Sequence, residues 1–188
     1  MPRLTPMTAD DLNPEQRAVF DAINSGPRGN MGMDGPFGVY VRAPGVGNAA
    51  QALGAAIRFG TELQENLKEV GICTVGAFHK AKFEFAAHAV LARKAGVDEA
   101  VVEAIRKGET PAFTREDERI VHAFSSELVR NRRVSEATYR KTLDCLGETR
   151  LIELVATLGY YTFVSMTLNA FEVPLRDGMR DPFPEIGG

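Results

Sequence analysis

Apolar positions recur at three- and four-residue spacing along most of the chain, and nowhere do they alternate long enough to demand a strand. The pattern predicts an all-α fold. Asn13-Pro14-Glu15-Gln16 has the form of a helix start, with Asn as N-cap and Pro at the first helical position. The helix it opens runs to about Asn24 and buries Val19, Phe20 and Ile23. Asn48–Phe59 follows, with Ala49, Leu53, Ala56 and Ile57 on one side and Gly60 as its stop. Thr61 is placed to cap the next helix, in which Leu63, Leu67, Val70 and Cys73 or Thr74 repeat at helical spacing. A reversal is expected near Gly76 and His79-Lys80, and a further helix from about Lys82 to the stop at Gly96. Asp98–Lys107 is a short helix. Thr114 caps another, with Ile120, Val121, Phe124, Leu128 and Val129 at core spacing. Ser135 opens one that ends at Leu146-Gly147. The last spans about Thr149–Phe171 and is stopped by Pro174.

Two stretches depart from this rhythm. Ser25–Gly47 is rich in Gly and Pro, and loops of that length are usually functional. Its apolar insert, Phe37 with Val39, Tyr40 and Val41, is expected to pack on the core, and its glycine-rich start is a candidate lid. No phosphate-binding loop is present, since no G-K-[ST] follows and no strand precedes. Leu151–Phe171 has about the length of a transmembrane helix. It carries Glu153, Asn169 and several Ser and Thr residues, however, so we read it as a helix buried in a core or between subunits. Residues 1–12 and the tail beyond Pro174 read as arms on a single domain whose core covers about residues 35–175.

Composition narrows the class of partner. The 188 residues suit one domain, and a net charge of −3 provides no basic field for nucleic acid. Cys73 and Cys145 form no C-x-x-C, and the N-terminus has no apolar h-region, so the expectation is a cytoplasmic enzyme with free thiols. The three His residues lack metal-ligand spacing, and no metal site is expected.

The candidate chemistry lies in Ala81–Gly96, A-K-F-E-F-A-A-H-A-V-L-A-R-K-A-G. Glu84 and His88 stand four apart, on one face of a helix. A carboxylate beside an imidazole favours the imidazolium and steers its protons, which makes an acid–base pair. Of the three acids on the preceding helix, Glu69 lies deepest, one step before an apolar run. On one straight helix Glu69 and His88 would be roughly 28 Å apart; only a hairpin brings them together. Arg58 is the candidate for a substrate carboxylate, which a guanidinium grips with two parallel bonds. The plainer alternative is that Glu69 is a buried structural acid and Arg58 its partner. His79 reads as a cap or surface residue, His122 as a core or interface group, Asn169 as a partner for backbone, and Cys145 as a small buried hydrophobe.

The ordered pieces G-P-F (Gly35–Phe37), R-F-G-T-E-L (Arg58–Leu63), E-V-G-I-C (Glu69–Cys73), F-E-F-A-A-H (Phe83–His88), A-G-V (Ala95–Val97) and L-N-A-F-E-V-P (Leu168–Pro174) resemble the carboxymuconolactone decarboxylase family. That family shares the alkylhydroperoxidase D-like helical bundle. In its thiol branch a Glu precedes a C-x-x-C, and a His stands four residues beyond the second Cys. Here those positions hold Glu69, Ala81, Glu84 and His88, so the Glu and His are kept and both thiols are missing. The resemblance therefore implies the decarboxylase branch. It implies a cofactor-independent lyase acting on a small lactone or related organic acid, with His88, Glu84 and Glu69 as catalytic residues, Arg58 as substrate-binding residue and a homo-oligomeric assembly, commonly a trimer or a multiple. A peroxidase, for which the thiols are lacking, and a non-catalytic small-molecule-binding protein are the alternatives.

Overall fold

Every residue of the fourth helix from Leu67 to Ala77 is buried, and the other helices are arranged around it. In the computed structural model, which describes residues 3–186, the helices are α1 (Pro14–Asn24), α2 (Phe37–Tyr40), α3 (Pro44–Phe59), α4 (Glu65–Phe78), α5 (Lys82–Lys94), α6 (Glu99–Lys107), α7 (Glu116–Asn131) and α8 (Glu136–Ala170). The described residues contain no strand, so the fold is all-α. A helix apolar on all sides has to be wrapped, and α4 packs against α5, α6, α7 and α8. Gly71 makes room for this: a Cβ there would lie 3.2 Å from Leu154 and 3.3 Å from Leu158 of α8. A second, smaller core joins α1, α2 and α3 through Val19, Ile23, Phe37, Tyr40, Val41 and Ala50. The apolar insert of the Gly/Pro-rich segment is thus the helix α2, and it packs as expected.

Several boundaries differ from the expected ones for identifiable reasons. Thr61 does not cap α4. Its hydroxyl donates to the carbonyl of Ile57 (2.9 Å), and the N–H groups of Glu62 and Leu63 donate to the Glu153 carboxylate at 3.0 and 2.9 Å. The chain therefore stays open there, and α4 starts at Glu65. Thr114 does not cap α7 either; the N-cap position is Arg115, and Asp117 accepts the N–H of Glu118 (2.9 Å). On α3 the inward face is Gly47, Ala50, Gln51, Gly54 and Ile57, while Leu53 stands 50% exposed and Ala49 and Ala56 also face outward. Small residues face inward because the Tyr160 ring fills that space: a Cβ on Gly54 would meet its hydroxyl at 2.2 Å.

The two final helices run together, with the break at Gly147 (φ 75°, ψ 169°). α8 is long and apolar enough to cross a membrane by length and composition. Its Leu151, Leu154, Leu158, Tyr161, Val164 and Leu168 are buried in the main core, which accounts for much of that apolar content. Ile152, Val155, Phe163 and Met166 remain on its outer side. The C-terminal arm forms no helix, but it is packed rather than free. Phe183 is fully buried, edge-on to Phe85 at 5.3 Å; Lys82 pairs with Asp181 (2.9 Å), and Arg106 donates to the carbonyl of Pro182 (2.6 Å). Cys145 is half-buried rather than buried.

Candidate acid–base site

The turn between α4 and α5 folds Glu69 back onto His88. Lys80 takes φ 51°, the N–H of Ala81 donates to the carbonyl of Gly76 (2.9 Å), and the Asn169 amide of α8 donates to the carbonyl of His79 (2.8 Å). His79 sits at the C-cap of α4, and Asn169 satisfies its backbone. The result is a line of charges. His88 Nδ1 lies 2.7 Å from Glu69 Oε2, and His88 Nε2 lies 3.0 Å from Glu84 Oε1 on the preceding turn of α5. Glu69 Oε1 accepts from Arg58 Nη1, at the C-terminal end of α3, and Arg58 Nη2 pairs with Glu65 at 2.7 Å. Lys68, itself buried, holds the assembly from below, donating to the Arg58 carbonyl and to Glu65, both at 3.2 Å. The Tyr161 ring of α8 stands edge-to-face on the imidazole, 4.9 Å between centroids.

Burial alone would strip the proton from His88. The flanking carboxylates Glu69 and Glu84 outweigh it and raise its pKa to about 10, so the ring is an imidazolium at neutral pH, donating from Nδ1 to Glu69 and ion-paired through Nε2 with Glu84. Burial works to raise the Glu69 pKa, but His88 and Arg58 overcome it and hold the carboxyl below its usual value. The Arg58 pKa, which burial would lower, is raised by Glu69. With two carboxylates on one imidazolium and a guanidinium behind, no charge in the line is left alone, which is the condition for ionised groups to persist in an interior.

A cavity of about 1090 Å³ runs along α5, and His88, Glu84 and Arg58 line it together with Phe37, Phe83 and Tyr160. Glu69 has no exposed surface; it lies behind His88 and Arg58, which separate it from the cavity. The four residues singled out in the sequence are thus adjacent, but in two ranks: Glu84, His88 and Arg58 at the wall, Glu69 beneath. Cys73 is buried beside the site, and burial, then Glu69 and Glu84, push its thiol pKa well up. His122 packs against Phe113 (5.3 Å), is not among the residues lining this cavity, and has its pKa lowered by burial to about 4. Among the described residues no group of three His, Cys, Asp or Glu side chains is arranged to hold a metal ion.

Residues the sequence reading passed over also face this cavity: Tyr160, Tyr161 and Arg28. Tyr160 and Tyr161 are 7% and 4% exposed. Arg28 donates to the carbonyl of Gln51 (2.8 Å) and lies over the Phe37 ring at 5.5 Å. The available signal was the pair Tyr160-Tyr161 in an otherwise apolar helix, since a buried phenol carries a hydroxyl that needs a partner.

No protein-family model matches the chain, and no curated protein is similar to it in sequence. Solved structures are similar in fold. The alkylhydroperoxidase AhpD core of an uncharacterized peroxidase-related protein from Ralstonia eutropha JMP134 is 14% identical with a TM-score of 0.75, covering 94% of this chain and 93% of that one. An uncharacterized peroxidase-related protein from Silicibacter sp. TM1040 is 14% identical with a TM-score of 0.73, covering 95% and 93%. The debrominase Bmp8 is 17% identical with a TM-score of 0.71, covering 92% and 91%. The chain has the alkylhydroperoxidase D-like fold.

Proposed function

We propose that this chain is a cofactor-independent lyase of the carboxymuconolactone decarboxylase type, acting on a small unsaturated lactone or related organic acid. The observation that carries the reading is an imidazolium at a cavity wall, clamped between two carboxylates, one lining the cavity and one sealed behind it. In the reaction the bond from the substrate to its carboxylate carbon breaks, carbon dioxide leaves, and the electron pair passes into the conjugated carbonyl. The His88 Nε2 proton then passes to the resulting carbanion by way of Glu84, which that nitrogen faces at 3.0 Å, and the ring regains a proton from water. A donor whose pKa is about 10 keeps its proton at neutral pH and gives it up only to a strongly basic carbon. Glu69 holds the ring in place and charged. Glu84 is the acid–base group nearest the substrate. Arg58 spends two nitrogens on Glu69 and Glu65, and its remaining N–H donors meet an anionic group of the substrate.

A thiol peroxidase cycle needs an attacking and a resolving cysteine. Residues 81 and 84 are Ala81 and Glu84, and Cys73 is buried with its thiol pKa raised. A variant of the debrominase Bmp8 is in complex with 2,3,4-tribromopyrrole, so a protein of this fold takes a small unsaturated five-membered ring. We also propose a homo-oligomer, commonly a trimer or a multiple in the family the sequence resembles. The exposed Ile152, Val155, Phe163 and Met166 of α8, beside Val46 and Leu53 of α3, supply an apolar face for a second copy.

The test is a panel of unsaturated lactone acids followed for carbon dioxide release, run beside a peroxide-consumption assay. His88→Gln is expected to lower kcat on the active substrate by about 10²–10⁴-fold, the usual worth of a positioned general acid. Turnover unchanged in that variant, or thiol-dependent peroxide consumption in place of decarboxylation, overturns the reading.

A further inference from the structure

We infer that Tyr161 is a further catalytic residue, whose hydroxyl donates a hydrogen bond to the carbonyl oxygen on which negative charge collects as the substrate ionises. The identity of that oxygen rests on the decarboxylase reading; the placement of the hydroxyl does not. Tyr161 is 4% exposed and lines the cavity. Its hydroxyl has no hydrogen-bond partner among the described residues. It is also not one of the polar atoms sealed away without a partner, as the Tyr40 hydroxyl is. A buried phenol with a free donor facing a cavity calls for an acceptor that comes and goes. Its ring stands edge-on to the His88 imidazole at 4.9 Å, so the hydroxyl and the proton donor address one bound molecule.

The surroundings suit a donor rather than an anion. Burial, then Glu84, raise the Tyr161 pKa well above the ordinary phenol value, with Arg58 working the other way and Glu69 and Tyr160 adding to the rise. The phenol therefore keeps its proton at neutral pH, and shares it rather than giving it up. Tyr160 shields the far side: its ring meets that of Tyr161 at 5.3 Å, and its hydroxyl is lodged against the bare backbone of Gly54. A neutral donor fixed in a water-poor wall needs no reorganisation when charge develops opposite it, which is how such groups stabilise an oxyanion. No bond to Tyr161 forms or breaks. The electron pair left by carbon dioxide resides on the carbonyl oxygen and its conjugated carbon until the His88 proton reaches the carbon by way of Glu84.

The experiment uses 4-nitrophenolate, whose oxyanion mimics the ionised substrate and whose visible absorption reports binding, and 4-nitroanisole, the neutral ether of the same shape. Wild-type protein is expected to bind the phenolate more tightly than the ether by about 10-fold or more, the worth of a hydrogen bond to a charged acceptor. Tyr161→Phe, which keeps the ring against His88, is expected to cut that margin by about 10-fold, leaving only what the Arg58 and His88 cations add, and to leave the ether's affinity unchanged. On an active substrate it is expected to lower kcat by about 10²–10³-fold with little change in KM. No preference for the phenolate in the wild type, a preference undiminished in Tyr161→Phe, or an equal loss for both probes overturns the assignment. A Tyr161-dependent preference in a protein that releases no carbon dioxide from any lactone acid overturns the decarboxylase reading and leaves the donor in place. Lactone decarboxylation with kcat and phenolate binding indifferent to Tyr161→Phe does the reverse.

Discussion

Raising the pH from 7 to 10 discharges the one cation that separates Glu69 from Glu84, and stability is expected to fall with it. In an unfolded chain His88 has the ordinary imidazole pKa of 6.5; in the folded protein it is raised to about 10. A group whose folded pKa lies above its unfolded one binds its proton more tightly in the native state. Its contribution is therefore complete below about pH 6.5 and is lost as the pH rises through about 10. At about 1.4 kcal/mol per pK unit, the loss between pH 7 and 10 is on the order of 4 kcal/mol, a large part of the stability of a domain this size. Glu69, whose pKa is lowered, reports the same interaction from the acid side: its share is present above the ordinary carboxyl pKa of 4.5 and is lost as the pH falls below it. The two belong to one coupled pair and are not added.

The assay is urea unfolding of the wild type and His88→Gln at intervals from pH 6 to above 10, beside an NMR titration of the His88 ring. Between pH 6 and 9 the wild type is expected to lose about 2–3 kcal/mol, and the variant, which has no ring to discharge, to lose much less; above pH 9 the buried thiol and phenols, whose pKa values are raised, add a fall common to both proteins. An imidazole that titrates below pH 7.5, or parallel slopes in the two proteins, refutes the buried imidazolium and with it the proton donor. Where the variant fails to fold, the wild-type titration alone decides.

Gly54→Ala drives a methyl to within 2.2 Å of the Tyr160 hydroxyl and 2.8 Å of an Arg28 nitrogen. It is expected to cost about 1–3 kcal/mol in chemical denaturation, as overpacking does, and to weaken ligand binding in the cavity. Phe183→Ala removes the anchor of the C-terminal arm; a stability loss near the low end of about 3–5 kcal/mol is expected, because an arm can undock without opening the core, and proteolysis should cut first beyond Leu175. Cys73→Ser is expected to leave decarboxylation unaffected in a steady-state assay, since the thiol takes no part. Phe163→Asp combined with Met166→Asp is expected to lower the mass seen in sedimentation, and an unchanged mass would remove α8 from the assembly face.

What was legible in the sequence was what local chemistry decides. Helix periods, the Asn13 and Ser135 caps and the stops at Gly96, Gly108 and Gly147 follow from neighbouring residues, and so does the i,i+4 meeting of Glu84 with His88. Glu69 was legible at one remove, because an acid one step before an apolar run has to be buried and has to find a cation. What stayed hidden depended on partners distant in the chain. Glu153 lies 91 residues from the Glu62 N–H that it binds, and it opens the turn that Thr61 would otherwise close. Leu53 looked inward until the Tyr160 ring, from another helix, took that space and left it to the glycine. Tyr161 stands out in the sequence only as half of the Tyr160-Tyr161 pair; that its hydroxyl is left without a partner depends on the fold, and no spacing rule reveals it.

The chemistry turns on one position. On α5 the residue four before His88 is placed by helix geometry next to Nε2, and here that contact is 3.0 Å to Glu84. In the thiol branch of the family this sequence resembles, the same position holds a cysteine, and an imidazole at that distance makes it a nucleophile. A carboxylate there cannot accept a peroxide oxygen or form a disulfide; instead it adds a second negative charge to the ring already paired with Glu69, and the His88 pKa climbs to about 10. On the proposed reading the scaffold fixes the distance, and the side chain at residue 84 sets whether the histidine would activate a thiol or store a proton. Glu84→Cys alone would not restore the thiol cycle, because Ala81 leaves it without the other cysteine. Glu84→Gln, which replaces the charged neighbour with a neutral one, is expected to lower the His88 pKa, and an NMR titration that found the ring unmoved would show that Glu69 alone sets it.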